Sequence, residues 1–266
     1  MKQREFDHIV KDLWEHELEF RKNPKNAHDL QVEQELFTEL NALGYNFTWH
    51  LQLNAGAFTE KDKTVIPIFL KYLDEFENKN FKDKYLCCLG VKGFYDATEY
   101  LLNEYSTHLP PSYDGSWSLE AISQTIAKIQ DPRFIDTYLS FLNDDKVVFE
   151  TCHIVEMLGK MKVEKAIPYL IKLLDGERKT ADNLYGTSLE DTKFFVSQES
   201  IKALAQFKNP EYMKYVEKFL EPEKISWIKY PDTKDGRNFL KSTHTKYRKI
   251  AKKAIEKMTL KPKTKR

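Results

Sequence analysis

The chain has 266 residues, of which 41% are hydrophobic and 13% aromatic, so it can bury a substantial core in one large domain or two modest ones. Charged residues make up 31% of the chain, both signs are mixed and the net charge is only +1, which argues against an intrinsically disordered chain. Nine glycines and ten prolines are too few for an all-β fold built on many tight turns.

The chain has none of the sequence signals of membrane insertion or secretion. No apolar run approaches the roughly 18–20 residues needed to cross a bilayer, and the first twenty residues, MKQREFDHIVKDLWEHELEF, lack the apolar segment of a signal peptide. The cysteines are Cys87, Cys88 and Cys152, an odd number that is typical of reduced core thiols. We therefore expect a cytoplasmic protein with no membrane partner.

Residues 1–61 are predicted to form an N-terminal helical cap. Two apolar helical stripes occur there, one formed by Phe6, Ile9, Val10, Leu13 and Trp14 and the other by Val32, Leu36, Leu40 and Leu43. Asn23-Pro24 is expected to end the first helix, and Gly44 to follow the second as a C′ residue. The aromatic segment 45–58 is interpreted as a short, degenerate helix.

From residue 62 onward two helical patterns alternate. The first, called A, occurs at 66–73, 98–105, 135–142, 167–174 and 213–220. The second, called B, occurs at 87–93, 124–130, 156–162, 202–208 and 252–258. One aligned position in each B pattern, called the B mark, is Gly90, Ala127, Gly159, Ala205 and Glu256. The recurrence predicts five two-helix units over 62–258, followed by a basic tail at 259–266.

The spacing between the patterns separates this recurrence from chance similarity. The second residue of each A pattern lies nine residues after the preceding B mark in all four cases, whereas the distance from A to the next B mark is 23, 28, 23, 37 or 42 residues. One connector is therefore held at fixed length and the other accepts insertions. Four of the five B marks are Gly or Ala, which lets a neighbouring helix approach closely, and Glu256 predicts a modified last unit with one solvated face.

The fixed connectors contain helix start signals. Asp131-Pro132 and Asn209-Pro210 each place an N-cap residue before a proline at the first helical position. Pro67 and Pro168 are predicted to lie in the first turns of A helices, where no intrahelical N–H bond is lost.

These units resemble HEAT repeats, most closely the short bacterial variety also found in phycobilin-lyase-type proteins. The residues that carry the resemblance are Leu89-Gly90, Ile126-Ala127, Leu158-Gly159 and Leu204-Ala205, with Ile66-Pro67 and Ile167-Pro168. The resemblance implies an all-α, right-handed solenoid of about five two-helix repeats, with the A helices on the convex side and the B helices on the concave side. It implies little about activity.

The long A-to-B connectors supply candidate binding residues. The extra residues fall at 107–117, 175–195 and 221–239 and include aromatic and basic side chains, types that dominate binding hot spots. The candidates are Tyr113, Trp117, Tyr185, Trp227, Tyr230, Lys234 and Arg237. The alternative for the aromatic residues is that their rings fold back into the core.

The C-terminal segment 241–266 is strongly basic, with eleven Lys or Arg residues against one acid, Glu256. Ala251, Ala254, Ile255 and Met258 predict an amphipathic helix to about residue 258. The candidate contacts to phosphates or an acidic partner are Lys246, Arg248, Lys249, Lys252 and Lys253. The alternative is a solvated face that balances an acidic body.

Catalytic motifs are absent from the sequence: it has no glycine-rich phosphate loop, HExxH or CxxC. Cys152 and His153 are neighbours that a straight helix points about 100° apart, so they do not form a metal site by themselves. We predict no cofactor, no metal and no enzymatic activity.

The leading hypothesis is therefore a non-catalytic scaffold or adaptor that binds another protein through the concave face and the insertions. The alternative is a nucleic-acid-binding protein, since some bacterial DNA-alkylation glycosylases are built from HEAT-like repeats. A third option, a bilin lyase, follows from the same resemblance and needs a bound tetrapyrrole.

Overall fold

A computed structural model describes residues 18–19, 21–48, 53, 56–109, 117–143, 148–175, 189–229 and 232–260. In these ranges the regular structure consists of α-helices and short 3₁₀-helices, and β-strands are absent. The predicted all-α class is confirmed for this part of the chain. The stripe predicted at residues 6–14 and the end of the basic tail, 261–266, lie outside the described residues.

The α-helices follow the predicted alternation. The first α-helix whose two ends are both described is α1, Ala27–Ala42, and the described residues 18–19 and 21–22 before it are also helical. The A helices are α2 (Ile66–Leu73), α4 (Thr98–Thr107), α6 (Ile135–Ser140), α8 (Ile167–Leu173) and α10 (Met213–Val216). The B helices are α3 (Lys79–Leu86), α5 (Trp117–Ile129), α7 (Thr151–Lys160), α9 (Leu189–Gln206) and α11 (Lys234–Thr259). Every A helix begins at the first residue of its predicted pattern. The first B pattern, predicted as a helix at 87–93, was placed wrongly: α3 ends at Leu86, and the pattern consists of a 3₁₀ turn (Cys87–Leu89) followed by non-helical residues.

The chain divides into two compact units, Met1–Tyr100 and Leu101–Arg266. The division falls inside α4, and the boundary predicted between residues 61 and 62 lies within the first unit. That boundary stays a prediction.

The four B-to-A connectors share a left-handed residue at the same position. The residue three positions after the B mark has a positive φ in each of them: 92° at Gly93, 58° at Gln130, 55° at Lys162 and 54° at Lys208. A 3₁₀ turn begins two residues later, and the A helix begins five residues after the left-handed residue. A single turn geometry therefore explains why this connector has one length.

Hydrogen bonds around Lys162 show how the turn closes. The amide of Lys162 donates to the carbonyl of Gly159, and the amide of Val163 donates to the carbonyl of Leu158, each at 3.1 Å. This pair of bonds is the Schellman arrangement, which satisfies the last carbonyls of α7 and reverses the chain direction. The next A helix then starts from a fixed position.

The predicted caps occur on the 3₁₀ turns. The side chain of Asp131 accepts a hydrogen bond from the amide of Arg133, and that of Asn209 accepts one from the amide of Glu211, both at 3.0 Å. The prolines Pro67 and Pro168 lie in the first turns of α2 and α8 as predicted. These residues start the helices without leaving a backbone donor unpaired.

In the first unit, α1 buries Val32, Leu36 and Leu40, three of the four residues of the predicted stripe. The fourth, Leu43, is 48% exposed, so its assignment to the buried stripe was wrong: it is the C-cap residue, after the helical repeat has ended. Gly44 has a φ of 97°, as expected for a left-handed residue after the helix.

The described part of 45–58 is not helical, which corrects the short helix predicted there. Its rings pack together instead: Tyr45 stacks on Phe47 with centroids 5.3 Å apart, and both make edge contacts with Phe58. The Tyr45 hydroxyl donates to Asp62 Oδ1 at 2.6 Å. Ring packing and this hydrogen bond hold the described residues of the segment in place.

Two buried acids connect α1 to α3. Asp29 accepts hydrogen bonds from the amides of Glu77 at 2.8 Å and Asn78 at 3.2 Å, just before α3 begins. Glu33 accepts a hydrogen bond from Tyr85 and lies 2.7 Å from Arg21 Nη2. Because Asp29 satisfies amide donors that α3 leaves free at its start, the first turn of α3 depends on α1.

In the second unit the B helices pack in chain order, α5 against α7, α7 against α9 and α9 against α11. Helices α7 and α9 approach each other closely at Gly159. A Cβ placed on Gly159 would lie 2.6 Å from both Cα and Cβ of Ala203, which is inside van der Waals contact. The predicted reason for a small residue at this B mark is confirmed.

Substitutions at the left-handed positions should separate backbone strain from side-chain effects. A left-handed backbone costs a non-glycine residue about 1–2 kcal/mol, so Gly93→Ala should lower the free energy of unfolding by that amount. Gln130→Gly should raise it by about 0.5–1 kcal/mol, because the relieved strain exceeds the added chain entropy. Urea unfolding followed by circular dichroism measures both, and a stabilising Gly93→Ala would contradict the shared turn.

Gly159→Ala should destabilise the second unit by about 1–3 kcal/mol, the usual range for overpacking, although alanine is the better helix former by about 1 kcal/mol. Thermal and urea unfolding test this. Adding Ala203→Gly should restore only part of the loss, because the Ala203 Cα remains in the way. Full rescue by Ala203→Gly would show that the Cβ alone sets the helix separation.

Candidate binding groove

The candidate site lies on α11, the 26-residue helix that carries most of the basic segment. Thr233 caps its start by accepting a hydrogen bond from the amide of Gly236 at 3.0 Å, and Asp235 lies in the first turn, where a negative charge is favourable. The buried face includes Tyr247, Ala251, Ala254 and Met258, which confirms an amphipathic helix.

Tyr247 fixes α11 to α9. Its ring is fully buried, stacks on Phe219 with centroids 5.1 Å apart and meets Phe194 edge-on at 6.3 Å. Its hydroxyl shares a hydrogen bond with Ser197 and lies 3.3 Å from the carbonyl oxygen of Phe194. Burial raises the pKa of Tyr247 well above its ordinary value, so the hydroxyl stays neutral. The position of the basic residues is thus set by a core contact.

A groove of about 310 Å³ runs between α9 and α11. Its apolar lining is Ala205, Ile250 and Ala254. Its polar lining consists of four lysines and one glutamine: Lys202, Gln206, Lys249, Lys253 and Lys257. The groove therefore has an apolar floor and a positively charged rim. It can bind a ligand in which an apolar group lies next to a negatively charged one.

The lysines of the groove differ in their partners. Lys202 forms an ion pair with Glu199, and Lys257 Nζ donates to Gln206 Oε1 at 2.6 Å. Within the described ranges Lys249 and Lys253 are exposed and form no ion pair. Positive charge therefore remains unneutralised along the α11 side of the groove.

Two of the left-handed turn residues are lysines that add positive charge near Lys257. Lys162 and Lys208 occupy equivalent positions in successive B-to-A turns. Burial lowers the pKa of Lys257, and the positive charges of Lys208 and Lys162 lower it further. Since like charges raise one another's energy, this cluster attracts anions.

The basic residues of α11 lie on two different faces. At 100° per residue, Lys246, Lys249 and Lys253 fall on the strip that borders the groove, and Lys246 Nζ lies 5.2 Å from the centroid of the Phe195 ring on α9. Arg248 and Lys252 fall on another strip together with Lys241. Arg248 is already paired with Glu223. The five predicted basic residues are thus not equivalent: three border the groove and two do not.

The structure places the other candidates as follows. Trp227 is half-buried, with its ring 6.0 Å from Phe194 and 6.4 Å from Tyr247, so it contributes to the aromatic cluster under α11. Lys234 and Arg237 are exposed on the first turn of α11, not in a loop, and Arg237 is paired with Asp232. The candidates outside the described residues are Tyr113, Tyr185, Tyr230 and the side chain of Trp117.

Two of the predicted insertions are partly helical. The connector predicted at 175–195 contains the first residues of α9, which begins at Leu189 and buries Phe194. The connector predicted at 221–239 contains the start of α11. The extra residues therefore lengthen the B helices α9 and α11 at their N-terminal ends, whereas the groove lies at their C-terminal ends.

Cys152 is buried in α7, whereas the neighbouring His153 is half-buried and pairs with an acid on α5. His153 Nε2 lies 3.0 Å from Glu120 Oε1 on α5, and this hydrogen bond lowers the pKa of Glu120. Burial raises the pKa of the Cys152 thiol to about 12, so it is a poor nucleophile. The part of the chain that the structure describes contains no cluster of metal-ligating side chains.

Comparison of the chain with protein-family models, curated proteins and solved structures found no match. Among the described helices, none is long and apolar enough to span a bilayer. The assignment of a role therefore depends on the geometry of the groove.

Sequence analysis did not single out Lys202, Gln206, Lys208 and Lys162 as groove or neighbouring residues. The first two face α11 from α9 across the groove, so only the helix pairing brings them to the site. A signal existed for Lys162 and Lys208: both occupy the same position of the fixed-length connector.

Tyr247→Ala should destabilise the second unit by about 3–5 kcal/mol, as for other large-to-small changes of buried aromatic residues. Tyr247→Phe keeps the ring and removes the hydroxyl, so the expected loss is about 1 kcal/mol. Urea unfolding measured by fluorescence compares the two. Equal effects of both variants would show that the hydroxyl, not the ring, holds α11.

Proposed function

We propose that the chain is a non-catalytic helical-repeat scaffold that binds another protein through the groove between α9 and α11. Support for HEAT-like repeats comes from the left-handed residue at the same position of the four B-to-A turns and from B helices that pack in chain order in the second unit. The observation that carries the binding role is the apolar groove rimmed by unneutralised lysines.

The composition of the groove favours a protein partner. Binding of single-stranded nucleic acid combines basic residues with aromatic rings on which bases stack, whereas the described groove lining is aliphatic, Lys or Gln. The rings of Tyr247 and Trp227 are directed into the cluster beneath α11. An apolar floor suits a side chain of a protein better than a sugar-phosphate backbone.

Site-specific photo-crosslinking on the full chain tests this function. The photoreactive residue p-benzoylphenylalanine would replace Lys253 on the groove strip or, as the matched control, Lys252 on the other face of α11. In cells that express the protein, we expect a discrete, nuclease-resistant protein adduct from position 253 and a weaker or absent one from position 252. Adducts of equal strength at both positions, or none at either, would contradict a protein-binding groove.

The second candidate function is nucleic-acid binding, which the exposed lysines of α11 favour. A duplex binder that contacts about six phosphates should lose affinity with salt at a log–log slope near −5. Nuclease-sensitive adducts at position 253 together with such a slope would replace the first proposal by this one.

Substitution is a better test than truncation. Deleting 241–266 would remove Tyr247, Ala251, Ala254 and Met258 from the core of the second unit together with the lysines. Loss of binding after this truncation would therefore not distinguish loss of the lysines from loss of core packing.

A further inference from the structure

We infer that the groove takes an extended acidic segment of the partner protein, with carboxylates facing the lysine rim and an apolar side chain on the floor. This inference rests on the proposed function and specifies the chemistry of the segment that is bound.

The charge of the rim indicates the charge of the ligand. Lys249 and Lys253 border the groove and, among the described residues, have no acidic partner. Lys246 is held over the Phe195 ring at the same strip, so its ammonium group is also available to an anion. A segment with several carboxylates can neutralise these charges together, and groups of charges gain more from pairing than an isolated surface pair.

The floor indicates that charge alone is not enough. Ala205 and Ala254 are almost fully buried, and Ile250 is half-buried beside them. Their small side chains leave the groove open above them. A phosphate or a purely acidic chain would place polar atoms against this apolar surface without a hydrogen-bond partner there, whereas a leucine or similar side chain would bury it favourably.

The dimensions favour an extended segment. From Lys249 to Lys257, the part of α11 that lines the groove, the helix rises about 12 Å, which matches about four residues of extended chain. The groove volume of about 310 Å³ accommodates one or two apolar side chains. In an extended segment successive side chains point to opposite sides, so apolar and acidic groups can be divided between floor and rim.

Fluorescence anisotropy with purified full-length protein tests the inference. The probes are a fluorescein-labelled peptide in which leucines are spaced among glutamates, an all-glutamate peptide of the same length and a single-stranded oligonucleotide of the same charge. We expect the mixed peptide to bind most tightly. The double variant Lys249→Gln, Lys253→Gln should weaken its binding at least about tenfold, since two ion pairs are lost in one site.

Two further variants serve as controls. One tests for non-specific attraction by the positive charge of α11, and the other tests the role of the apolar floor of the groove. Lys241→Gln with Lys252→Gln removes the same charge from the other strip of α11, and we expect less than about a threefold effect. Ile250→Ser should weaken the mixed peptide and leave the all-glutamate peptide unchanged. All these side chains are partly or fully exposed, so the variants should fold, which circular dichroism checks.

Three results would overturn the inference: equal losses in the two lysine pairs, equal affinity for the mixed and all-glutamate peptides, or tighter binding of the oligonucleotide with the same dependence on Lys249 and Lys253. Failure of the peptide assays together with a protein adduct at position 253 would reject only the acidic segment. Absence of that adduct would reject the protein-binding function itself.

Discussion

The second unit depends on one backbone constraint, the left-handed residue three positions after each B mark. After α7 it closes the helix through the hydrogen bonds accepted by Gly159 and Leu158, and in all four connectors the next A helix starts five residues after it. The B helices of the second unit pack side by side in chain order. The contact of Gly159 with Ala203 shows how little freedom that packing leaves.

The same constraint separates two kinds of sequence variation. Residues inside the fixed connector vary in type, since Gly, Gln and Lys all take the left-handed conformation there, but their number does not vary. Residues between A and B vary in number, and part of the surplus extends α9 and α11. These two long helices form the walls of the groove, but its lining residues lie in their C-terminal halves, outside the inserted segments 175–195 and 221–239.

The fold class and the helix starts were predictable because they follow from local signals: apolar periodicity, the prolines at 67 and 168, and the caps Asp131 and Asn209. The site was predictable only in part. The basic face of α11 can be read from its lysines, but the division of that face into a groove strip and a solvent strip depends on where Tyr247 docks. Trp227 could not be placed from the sequence, since the rings that it contacts come from two distant helices, α9 and α11. No local sequence pattern distinguishes a ring in the core from a ring at the surface.

Because of the position of α11, the stability of the folded state depends on the anions in the solution. On one side of the helix, Tyr247 is buried in the core. On another side, the ammonium group of Lys257 is repelled by the positive charges of Lys162 and Lys208. Repulsion among these three lysines opposes the packing contacts that hold α11. An anion that binds to them in the folded state therefore stabilises that state by mass action. The melting temperature of this protein should therefore rise with the concentration of an anion that binds to Lys162, Lys208 and Lys257, and so can be used to titrate that anion.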